Sequence, residues 1–130
     1  MIFGGISEAL EASELESYFN KFFDVYGDKP KNITALRELY ELAYRQWDTF
    51  EPVSDEIYKR LTEYLMSALK LNSYEIMDVI LSIIENLSLK EVFQYIISQK
   101  DRIQNTYVKE LVEEAENDYA DIIGNPFSVL

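Results

Sequence analysis

Apolar residues recur along the chain at three- and four-residue intervals, the period of helices that bury one face. Leu15, Tyr18, Phe19, Phe22, Phe23 and Tyr26 trace the first stripe. Ser13-Glu14-Leu15-Glu16 has the form of a capping box at its start, and Ser7 offers an earlier one. Gly27 and Pro30 close this helix. A second stripe, starting near residues 32–34, runs through Leu36, Leu39, Tyr40, Ala43, Trp47 and Phe50. Pro52 ends it, because the proline ring clashes with a preceding helical turn. Ser54 caps a third helix carrying Ile57, Leu61, Leu65, Ala68 and Leu69. Asn72 with Glu75 repeats the box before YEIMDVILSIIENL, a segment apolar around most of its circumference and so expected at the centre of the core. Ser88 with Glu91 opens a short fifth helix containing Val92, Phe93, Ile96 and Ile97. A sixth is expected from about residue 101 to 123, stopped by Gly124-Asn125-Pro126.

No run alternates with the period of a strand, so the pattern predicts an all-α protein of about six helices. Short connections favour a compact antiparallel bundle or an array of helical hairpins. No fixed repeat length stands out, which leaves a solenoid-like stack as a further possibility. Residues 1–130 read as one domain, long enough for a single core. Trp47 sits mid-stripe and is expected in that core. Leu42 and Met66 fall off their stripes, so they either meet other helices or form a contact patch.

Composition removes most chemistry. The chain has no cysteine and no histidine, which excludes disulfides, thiolate nucleophiles, the commonest metal ligands and the commonest general base. Di-iron bundles need Glu-x-x-His, which this chain cannot supply. Asp118 and Asp121 lack the Gly-punctuated loop of a calcium site, and Gly4-Gly5 falls short of a phosphate-binding loop. No carboxylate pair stands out as an acid–base couple, and no serine has a recognisable base beside it. The expectation is a protein that is not an enzyme, with no cofactor and no metal. MIFGGISEAL lacks the marks of a signal peptide and no window suits a membrane span, so a soluble cytoplasmic protein is expected.

Charge gives a direction. The net charge of −12 disfavours direct binding to nucleic acid or to an anionic membrane. Residues 1–28 hold six acids and one base, and residues 101–130 hold seven acids and two bases, so each end is −5 while the middle carries only −2. Solubility alone does not require that concentration. On a helical wheel, residues 110–124 place Leu111, Val112, Ala115, Tyr119, Ile122 and Ile123 on one side. Glu110, Glu113, Glu114, Asp118 and Asp121 occupy the other, with Asn117 among them. Such a face is either simply solvated or matched to a cationic partner. Tyr44, Tyr58, Tyr74 and Tyr107 lie beside their stripes or at helix starts. There they either snorkel at the core boundary or anchor a contact that carboxylates steer.

The run GGISEALEASELESYFNKFFDVYGD, followed by LRELYELAYRQWDTFEPVSDEIYKRLTEYL, resembles the helical immunity proteins of the colicin-D type. The residues that carry the likeness are Gly5, Ile6, Ser7, Tyr18, Phe19, Leu36, Leu39, Tyr40, Asp48 and Pro52. It covers about residues 4–70, and residues 71–130 have no counterpart in the pattern. The resemblance implies an acidic helical protein that plugs the basic, RNA-binding cleft of a cognate toxin; a monomer in a one-to-one complex with that toxin domain is expected. No binding residue carries over from it. The acidic, tyrosine-bearing surface of Glu110, Glu113, Glu114, Asp118, Asp121, Tyr107, Tyr44, Tyr58 and Tyr74 is the expected contact. The alternatives are a non-enzymatic helical adaptor and an acidic nucleic-acid mimic that inhibits a host or phage defence enzyme.

Overall fold

The computed structural model describes residues 12–29, 31–49 and 51–119. Within them lie α1 (Ala12–Tyr26), α2 (Ile33–Asp48), α3 (Asp55–Ala68), α4 (Tyr74–Leu87), α5 (Lys90–Ser98) and α6 (Thr106–Tyr119). A 3₁₀ turn, Lys100–Arg102, precedes α6, and no strand occurs among the described residues. The protein is all-α.

The helices form two layers of parallel neighbours. α2 packs most extensively on α4, and α4 packs on α6; α1 lies against α3, and α3 against α5. Arg37 in the second turn of α2 bridges to Glu75 in the first turn of α4 at 3.0 Å, so their N-terminal ends lie side by side. Asn20 accepts from Arg60 Nη1 at 2.9 Å, and Tyr64 meets Phe22 and Phe23 edge-on, which puts α1 and α3 in register as well. Contacts of α1 with α2, and of α5 with α4 and α6, join the layers. The contacts are those of a compact helical bundle, in which α1 packs on α2 and α5 on α6 while α3 packs on α1 and α5. The helix caps explain why no repeat length showed. Asn32, Ser73 and Asn105 start α2, α4 and α6, spaced 41 and then 32 residues apart.

The core follows the stripes. Leu15, Phe19, Phe22 and Phe23 of α1 are buried, as are Leu36, Leu39 and Ala43 of α2, with Tyr18, Tyr26 and Tyr40 packed at its edge. α4 is its centre, burying Ile76, Met77, Ile80, Leu81, Ile83, Ile84 and Leu87. Leu42 is fully enclosed, whereas Met66 remains 37% exposed. Trp47 is half-buried rather than enclosed. Phe50, Pro30 and the expected stop after residue 123 lie outside the described residues.

Several boundaries differ from the expectation. Ser13 lies inside α1 rather than capping it, and Ser7 lies outside the described residues. α4 is capped by Ser73, whose side chain accepts from Ile76 N; Asn72 is used elsewhere. Ser88 does not open α5. It ends α4 in the left-handed region at φ 56°, and α5 starts after Leu89 with no side-chain cap. With one residue between the two helices' end caps and starts, the chain must reverse at Ser88, and a cap geometry is incompatible with that turn. α6 begins at Thr106, not near residue 101, because Asn105 Oδ1 accepts from Tyr107 N at 3.0 Å and Val108 N at 3.1 Å. Losing such a cap costs ~1 kcal/mol.

Candidate functional site

Two helices of one layer, α4 and α6, face each other with acids on both sides. Parallel packing puts Asp78, Ser82 and Glu85, one stripe of α4, opposite Leu111, Glu114 and Asp118 of α6. Between them lies an open channel of about 160 Å³. Its floor is apolar, made by Leu81, Ile84, Phe93 and Ala115. The wall carries four carboxylates and no lysine or arginine. α4 contains no basic residue at all, and α6 contains only Lys109.

Asn72 clasps the segments that lead into α4 and α6. Its Oδ1 accepts from Gln104 N at 2.7 Å and from Asn105 N at 3.0 Å. One side chain before α4 thus satisfies two backbone donors before α6 and sets the register of the two helices.

The acids of α6 do not act as one face. Glu110, Glu113, Glu114 and Asp118 are all exposed, as the helical wheel requires. Glu114 and Asp118 turn toward α4, while Glu116 turns the other way and pairs with Lys100 Nζ at 3.0 Å. The hydrogen bond and charge of Glu116 raise the Lys100 ammonium pKa above its ordinary value, against desolvation, with smaller help from Glu113 and Asp101. Glu113 therefore belongs to the lysine side, and Glu110 lines neither feature. Asp121 lies outside the described residues.

The tyrosines also divide. Tyr107 is 72% exposed at the start of α6, Tyr74 48% exposed at the start of α4, and Tyr44 50% exposed on α2. These three stand on the layer that carries the channel, with Tyr74 and Tyr107 at the same end of parallel helices. Tyr58 is half-buried against the core on α3, in the other layer, where its ring packs inward. Glu14, Glu16 and Asp24 of α1, and Asp28 in the turn after it, are exposed on a part of the stack that α6 does not contact closely.

Asp78 and Glu85 are not among the expected contact residues, because the sequence of α4 reads as a core helix apolar around most of its circumference. The signal was present: residues 78, 82 and 85 are polar at helical spacing within that apolar segment. Tyr95, 41% exposed on α5, is likewise not among those contact residues. Tyr64 is a buried phenol of a different kind. Burial, with Tyr26 nearby, pushes its pKa up to about 12, and its hydroxyl has no hydrogen-bond partner. No group of three acids suited to a metal ion occurs among the described residues. Comparison with protein-family models, curated proteins and solved structures finds no match for this chain.

Proposed function

We propose that this chain is an immunity-type protein that binds and neutralises a cognate basic toxin, with an RNA-cutting nuclease as the toxin class. The observation that carries this reading is the α4–α6 channel, where Asp78, Glu85, Glu114 and Asp118 surround an apolar floor without a basic residue among them. A nuclease must present lysine and arginine to phosphates, so a carboxylate-walled surface is complementary to its substrate cleft. Charge of this sort steers encounter and rejects wrong partners, while Tyr44, Tyr74 and Tyr107 supply rigid area that loses water on contact. The likeness of residues 4–70 to colicin-D-type immunity proteins supports the same reading.

The test is protection. Cells that express a basic toxin encoded beside this chain's gene should survive only when the chain is co-expressed. Reversing Asp78, Glu114 and Asp118 of the channel together should slow association by about tenfold or more and flatten its salt dependence. Survival without the chain, or unchanged kinetics in the triple variant, counts against the proposal. The apolar floor of the channel favours a second reading, a helical adaptor that docks a partner without inhibiting it. An adaptor would bind its partner but leave the partner's activity intact.

A further inference from the structure

We infer that the α4–α6 channel seats one arginine side chain projecting from a basic partner protein. The inference rests on the proposed recognition of a cationic partner and names the group that enters. Size is the first argument. A volume of about 160 Å³ is close to the ~150 Å³ engineered cavity that admits benzene, a ligand of six heavy atoms. An arginine side chain, with seven, is of that scale.

Chemistry is the second argument. Long cationic side chains lay an apolar stem along apolar surface and keep the charged head at a polar rim. Leu81, Leu111 and Ala115 offer the first, and Asp78, Glu114 and Asp118 the second. The carboxylates come from two facing helices. A planar guanidinium with five donors can be shared between two walls, which a lysine ammonium does less well. Two paired cations, Arg37 on α2 and Lys100 before α6, bind Glu75 and Glu116, neither of which lines the channel. No lysine or arginine lines the channel beside Asp78, Glu114 and Asp118, so a guanidinium entering it would add the opposite charge.

The experiment titrates the full chain with a blocked Leu-Arg-Leu tripeptide, followed by backbone amide NMR shifts. Saturable shifts are expected at Ser82, Glu85, Leu111 and Ala115. A peptide with citrulline, the neutral isostere, should give none. Ser82→Leu fills the channel without changing charge, at a position whose hydroxyl donates only to Asp78 O in its own helix. It should weaken binding by about tenfold, and so should the double variant Glu114→Gln with Asp118→Asn. The same charge change at exposed acids of other helices, Glu56→Gln with Glu91→Gln, should stay within about twofold. Equal weakening by both doubles, shifts spread over all exposed acids, or equal binding of a lysine peptide would overturn the assignment. A toxin bound at full affinity by the Ser82→Leu chain would overturn it while leaving the immunity reading intact. Arginine seating without any protected toxin would do the reverse.

Discussion

α4 has two flanks, and they are built differently. Toward α2 the packing is extensive, and the charge pair across it, Arg37 with Glu75, joins opposite signs. Toward α6 the helices leave a channel, and every charge that lines it is negative. The difference begins in the sequences of the two partners. α2 buries seven residues, Ala35, Leu36, Glu38, Leu39, Leu42, Ala43 and Gln46, a face wide enough to meet both α1 and α4. Among the described side chains α6 buries only Val108, Val112 and Ala115. A narrow stripe supports one close contact, and carboxylates begin directly beside it. One seam is made for stability, and the other keeps an unbalanced field.

The largest expected effect tests the closed side. Leu42→Ala removes a fully buried side chain from α2 and should destabilise the fold by ~2–5 kcal/mol in urea unfolding. Leu111→Ala, at the half-buried rim of the channel, should lose about 1 kcal/mol or less. Similar losses at the two positions would mean that α6 is as tightly built in as α2.

Next in size is the clasp between the starts of α4 and α6. Asn72→Ala leaves the Gln104 and Asn105 amides without their acceptor and should cost ~1 kcal/mol. Amide exchange should accelerate at those two residues and through the first turn of α6, with the α2–α4 side unaffected. Uniform acceleration would show that the two seams open together.

This clasp also marks where the sequence stopped being legible. The helices and their buried stripes follow from local periodicity, and Ser54 as a cap follows from local chemistry. Asn72 and Ser73 are both good caps, and a contact 32 residues away decides which one caps α4. Ser88-x-x-Glu91 matches a capping box, yet the reversal between α4 and α5 takes Ser88 for a left-handed turn. Half of the acidic channel was visible on α6. The other half needed the knowledge that α4 and α6 are parallel neighbours, which no local pattern contains.

The smallest effect is a difference in sign. Glu75→Gln removes an exposed opposite-charge pair across the α2–α4 seam and should destabilise by ~0.2–1 kcal/mol. Asp118→Asn lowers the charge of a like-signed channel and should stabilise by a few tenths, roughly 0.2–0.5 kcal/mol. Both shifts should shrink in high salt, since both groups face water. Paired urea midpoints at low and high salt measure the contrast, and two changes of the same sign would sink it. A channel whose carboxylates repel one another in the free chain is relieved when a cation enters. On the proposed reading, the stability given up along α6 would be recovered on binding.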